Sequence, residues 1–176
     1  MPDDTPPAAP RIVVMGVSAV GKSSVGAALA ARLGVPFADA DDLHPRANVE
    51  KMAAGVPLTD ADRAPWLDLV GDALAASDDG LVMACSALRR TYRDRIRSRA
   101  PETVFVHLHG DPEMLAARAA ARTGHFMPPA LLASQLATLE PLAEDEPGVA
   151  VDVAPPVERI AADAAARLRA AALAPR

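Results

Sequence analysis

The chain has 176 residues, with 18 basic and 23 acidic side chains and a net charge of −5. That length suits one domain with a sizeable core, and the acidic balance argues against a general nucleic-acid surface. Aromatics make up 3% of a chain that is 51% hydrophobic, so the core is aliphatic, and the single cysteine, Cys85, excludes an internal disulfide and fits a cytoplasmic protein.

Residues 1–10, "MPDDTPPAAP", lack the basic start and apolar centre of a secretory leader and read as a disordered tail. Residues 11–176 read as one domain. "RIVVM" (11–15) is a short β-branched run that reads as a buried strand. "KSSVGAALAARL" (22–33) has helical spacing, and Gly34 stops it. "VPFADAD" (35–41) is a second strand with an acidic end, and helices are predicted around 46–54 and 64–77. "GLVMACS" (80–86) is a third strand, followed by the basic helix "LRRTYRDRIRSR". "TVFVHLHG" (103–110) is the fourth, and Asp111-Pro112-Glu113 opens the next helix. "RTGHFMPP" (122–129) breaks that helix, and another runs over 129–139. "GVAVDV" (148–153) is the fifth strand, and a last helix follows Pro155 and Pro156. Five apolar strands alternating with helices predict an α/β fold, a parallel sheet flanked by helices. No apolar run approaches the roughly 20 residues of a membrane span. Insertions at about 42–77 and 122–139 are long enough to be mobile subregions.

Between the first strand and its helix, "GVSAVGKS" meets the spacing G-x-x-x-x-G-K-[ST] at Gly16, Gly21, Lys22 and Ser23. Successive backbone N–H groups in such a loop form an anion nest, and the following helix adds its positive end. Gly16, Ser18, Ala19, Val20, Gly21, Lys22, Ser23 and Ser24 therefore form the nucleotide site. Lys22 faces the outer phosphates and the Ser23 hydroxyl is a ligand for Mg²⁺. Ala19 or Val20 would be strained if either needed a positive φ.

A phosphate loop alone does not say what receives the phosphate. The second strand ends Asp39-Ala40-Asp41-Asp42, and strand alternation puts Asp39 and Asp41 on one side. Asp39 would hold Mg²⁺ through water, and Asp41 would accept the proton of an acceptor hydroxyl. The plainer alternative is an acidic helix cap, which Asp42 alone would supply. Arg118 and Arg122 are four apart on one helix face and lead into "TGHFMPP", the layout of a lid that excludes water. Arg122 would neutralise the transferring phosphate, and Cys85 and Trp66 read as packing residues.

"DADDLHPRANVEKMAAGVPLTDADRAPWL" (39–67), "ACSALRRTYRDRIR" (84–97) and "HFMPPALLASQLATLEPL" (125–142) resemble the gluconate kinase family. These are small P-loop kinases related in fold to shikimate and nucleoside monophosphate kinases. The likeness covers nearly all of residues 11–153 and rests on several separated motifs. It implies a P-loop kinase fold that makes 6-phosphogluconate from D-gluconate and ATP with Mg²⁺, and a homodimer. It places 42–77 and the segment after the third strand around the acceptor. There His44, Lys51, Arg63, Arg90 and Arg93 are candidates for a hydroxylated carboxylate, since arginine holds one bidentately. His44 serves equally as a structural tie for the insertion. By the same likeness Arg118 packs on adenine and His125 meets the acceptor, with Gln135 a weaker candidate. Members commonly read S-G-S-G-K-S-T where this chain has Ser18 to Ser24, which changes loop shape and nucleotide affinity rather than reaction type. Two rival readings are the same chemistry on shikimate or a nucleoside monophosphate, and a regulator that binds ATP without transferring phosphate.

Overall fold

In a computed structural model of the chain, residues 9–122 and 129–173 are described. The strands are β1 (Arg11–Met15), β2 (Phe37–Asp39), β3 (Leu81–Ala84), β4 (Val104–His109) and β5 (Gly148–Asp152). All pair in parallel, in the order β2-β3-β1-β4-β5. Among the described residues six α-helices connect the strands, α1 (Lys22–Leu33), α2 (Arg46–Ala53), α3 (Asp60–Ala75), α4 (Arg90–Arg99), α5 (Pro112–Ala121) and α6 (Pro129–Thr138), and α7 (Val157–Leu173) follows β5. The predicted α/β sheet is what the chain forms.

The strands are apolar on both faces because both faces are covered. Ile12 and Val14 of β1 point to one core with Val106, Leu108, Leu29 and Ile160, under α1 and α7. Val13 and Met15 point to the other, with Met83, Phe105, Trp66, Val70 and Ile96, under α3 and α4. Central β1 carries the chain first toward β3 and β2, then back toward β4 and β5. Its carboxyl end therefore opens at the crevice where such sheets bind ligands.

Two details differ from the sequence reading. Helix α3 begins at Asp60 rather than 64, because Thr59 and Asp62 form a capping box, with Asp62 N–H on Thr59 Oγ1 at 3.2 Å and Thr59 N–H on Asp62 Oδ2 at 2.9 Å. Pro65 lies inside that helix rather than at its start. The second strand ends at Asp39, and Ala40–Leu43 is a 3₁₀ turn. At the tail's junction with the sheet, the Pro10 carbonyl accepts from Leu81 N–H at 2.8 Å. Arg11 closes the C-terminus of α3, donating to the Leu74 carbonyl at 2.7 Å and to the Ser77 carbonyl at 3.3 Å. Among the described residues no helix is long and apolar enough to cross a membrane.

Candidate active site

The loop between β1 and α1 is shaped by close approach. A Cβ on Gly16 would lie 2.6 Å from the Leu108 carbonyl oxygen, and Gly21 enters α1 at φ 86°. Ala19 sits at φ 68°, the left-handed region its side chain disfavours, whereas buried Val20 is not among the positive-φ residues. Lys22 Nζ donates to the Val17 carbonyl at 3.0 Å. Burial lowers its pKa from the usual amine value, and Asp41, Cys85 and Asp39 pull it back up. Arg122, the C-cap of α5, adds a further lowering and so lies within charge range of Lys22.

Asp39 organises the acidic edge. Its Oδ2 accepts from the Ser23 hydroxyl at 2.7 Å, and its Oδ1 accepts from the Asp41 N–H at 3.0 Å. The two acids are thus joined through a turn, and not by strand alternation as the sequence reading had it. Ser23 and Asp39 are adjacent hard oxygen donors at a helix N-terminus. Mg²⁺ takes one or two such protein oxygens, keeps waters and completes its shell with phosphate. The pair fits that ion.

The Asp41 side chain is 86% exposed. The surrounding protein and then Asp39 raise its pKa, while His44 and Lys22 oppose. His44 lies 3.9 Å from Asp41 Oδ1 and stacks on Trp66 with ring centres 4.2 Å apart. Asn48 Nδ2 lies 3.3 Å from His44 Nδ1 and donates to the Asp62 carbonyl at 3.0 Å. With Nδ1 accepting from Asn48, the His44 proton faces Asp41. Burial first, and Arg63 also, hold His44 below the ordinary histidine value despite Asp41, so the ring is neutral. Trp66 packs, as expected, and donates to the Ala40 carbonyl at 2.7 Å.

The remaining expected residues divide. Arg63 stays near His44 and donates to the Leu58 carbonyl at 2.6 Å. Lys51 is held by both oxygens of Asp62 at 2.8 Å, tying α2 to α3 and holding the Asp62 carboxyl down at about 2. Arg90 is held bidentately by Asp145 at 2.7 Å. Arg93 is a correction. Its side chain is 1% exposed and its guanidinium is filled by Glu146 at 2.6 and 2.8 Å and by the carbonyls of Ala87, Glu140 and Pro141. No donor is left for a substrate. Arg118 donates to the Val153 carbonyl at 2.8 Å, beside the segment after β5. Ser24 is exposed on the first turn of α1. His125 lies outside the described residues. Cys85 is buried in the core, and burial pushes its thiol up to about 12.

Sequence reasoning gave Gln135 little weight, yet its Oε1 accepts from the Ser18 N–H of the phosphate loop at 2.6 Å. It gave no role to Asp62, although T-x-x-D before an apolar run is a capping signal. Glu146 had no local signal at all.

A shikimate kinase family model matches residues 18–146. A gluconokinase from Gluconobacter oxydans is 52% identical over 143 residues, 80% of each chain. The chain belongs to the gluconokinase family. Likewise, the thermosensitive gluconokinase of Escherichia coli is 44% identical over 80% of this chain and 78% of its own. The crystal structure of a gluconokinase from Sinorhizobium meliloti superposes with a TM-score of 0.85 at 51% identity, covering 93% of each chain.

Proposed function

We propose that this protein is a cytoplasmic, homodimeric kinase that transfers the γ-phosphate of ATP to the 6-hydroxyl of D-gluconate, giving 6-phospho-D-gluconate and ADP. It needs neither nucleic acid nor membrane. The observation that carries the reading is the continuous link Ser23–Asp39–Asp41, with bonds of 2.7 and 3.0 Å, between the phosphate loop and an open carboxylate.

In this reading the loop N–H groups and Lys22 hold the β- and γ-phosphates. Ser23 and Asp39 would hold Mg²⁺, which would supply charge neutralisation at the phosphates. Asp41 orients the 6-hydroxyl. The O6–P bond forms as the bond from Pγ to the ADP oxygen breaks, and the hydroxyl proton passes late to Asp41, because the transition state is loose. The neutral His44 fixes Asp41 from one side. Arg122 faces the transferring group and Arg118 stands at the nucleotide base. Arg63 faces the acceptor; Lys51 and Arg90 support its walls through Asp62 and Asp145.

The test is ADP release with ATP and Mg²⁺ across D-gluconate, other sugar acids, shikimate and nucleoside monophosphates. Selective turnover of D-gluconate is expected. Turnover of another acceptor would overturn the substrate. Tight ATP binding with no turnover would point to the regulator.

A further inference from the structure

Helix α4 and its cap carry six arginines, and acids hold three of them closely. Asp145 holds Arg90 at 2.7 Å, Glu146 holds Arg93 at 2.6 Å and Asp68 holds Arg95 at 2.7 Å. Arg89, the N-cap of α4, is held loosely, as Arg99 is at the helix's other end, at 3.6 Å from Asp68 and Asp72. The acid nearest Arg89 is Asp60, at 3.5 Å, and the Arg89 side chain is 43% exposed. Arg63 shares that same acid at 3.9 Å. Both guanidinium carbons sit over the Tyr92 ring, at 5.7 Å for Arg63 and 5.9 Å for Arg89. Tyr92 Oη in turn donates to Asp60 at 2.5 Å.

Two cations have thus been gathered on one ring with one carboxylate between them. The group carries a surplus positive charge, and neither guanidinium makes a bidentate pair among the described residues. Like charges brought this close repel unless an anion joins them. Arg63 also lies within charge range of His44, whose Nε2 is 3.9 Å from Asp41 Oδ1. Phosphorylation at O6 puts the acceptor's carboxylate at the end farthest from Asp41, so its partner belongs beyond His44.

We infer that Arg89 is the second arm, with Arg63, of a clamp for the acceptor's carboxylate, with Tyr92 as the platform and Asp60 aligning the two arms. The inference rests on the substrate reading above. It makes Arg89 a specificity residue, because a paired guanidinium fork rewards an acid and gives a neutral sugar nothing to bind.

The experiment compares the wild type with Arg89→Gln and Arg89→Lys in steady-state kinetics, with thermal unfolding as a check on the fold. Arg89→Gln is expected to raise the KM for D-gluconate about 10- to 100-fold. The KM for ATP and kcat stay within about twofold. Added guanidinium ion restores part of the loss in Arg89→Gln, and Arg89→Lys falls between. An unchanged KM for D-gluconate, or equal loss for both substrates, would overturn the clamp. If the wild type fails to phosphorylate D-gluconate, the substrate reading falls and the clamp with it. If the wild type is active and the variants match it, only the clamp falls.

Discussion

The Ser18 N–H donates to Gln135 Oε1 across 2.6 Å, so α6 reaches into the phosphate loop. Among the described residues this bond joins the loop to the second half of the chain. An acceptor oxygen already stands on a donor of the anion nest.

Replacing Gln135 with Glu keeps the shape and adds a negative charge beside the phosphates. The KM for ATP should rise about tenfold, roughly 1.4 kcal/mol. Initial rates at saturating acceptor measure it. An unchanged value would mean that nucleotide never meets residue 135.

Ala19 lies at φ 68°. Ala19→Gly removes a left-handed penalty of ~1–2 kcal/mol and adds ~0.5–1 kcal/mol of backbone entropy cost. A net gain of roughly 0.5–1 kcal/mol should appear in urea unfolding. Destabilisation would show that the loop relaxes around the alanine.

Asp41→Asn should lower kcat by ~10²-fold or more while ATP binding, followed by calorimetry, persists. In the wild type the working form of Asp41 is the carboxylate. Its pKa is raised, so activity is lost as pH falls through a value above 3.8, the ordinary carboxyl value. An acid limb at or below that value would contradict the environment described.

Arg93 and Glu146 are a buried pair, with side chains 1% and 4% exposed. Glu146→Leu alone strands a buried cation and should cost about 3–5 kcal/mol in denaturant unfolding. Adding Arg93→Met should recover much of that loss. If the double variant is no better than the single one, the carbonyl contacts of Arg93 matter more than its charge partner.

His107 lies on β4, is 5% exposed, and its Nε2 has no partner among the described residues. Burial, with His109 and Arg93 adding to it, lowers its pKa from 6.5 to about 4. The unfolded chain therefore binds a proton between those values that the folded chain refuses. The neutral ring's contribution is fully present above 6.5 and is lost as pH falls toward about 4. His107→Phe should flatten stability against pH in that window, as read by thermal unfolding. A wild-type slope retained in the variant would assign the effect elsewhere.

The strands were legible because each is a short apolar run bounded by glycine, proline or acids, and the phosphate loop because its spacing is local. Helix α3 was placed late because Pro65 resembles a first-turn residue, and the Thr59–Asp62 box was passed over. The juxtaposition of Asp39 and Asp41 was legible, but its cause was not: one side-chain oxygen folds the next residues into a turn. Arg93 misled because an arginine after the third strand reads as a carboxylate ligand, and the carboxylate it does hold, Glu146, lies 53 residues further on. Arg89, Asp60 and Tyr92 meet only through the packing of α3 on α4, which no sequence window contains.

The strand order also sets a timetable. β1 is made early, yet it pairs only with β3 and β4 among the described strands. The ribosome must add about 70 residues after β1 before β3 exists, which takes roughly 4–14 s at typical synthesis rates. Through that interval "RIVVM" is an apolar strand with no ladder to join. Growth temperature and chaperone supply should therefore govern the yield of this protein more than the stability of the finished fold does.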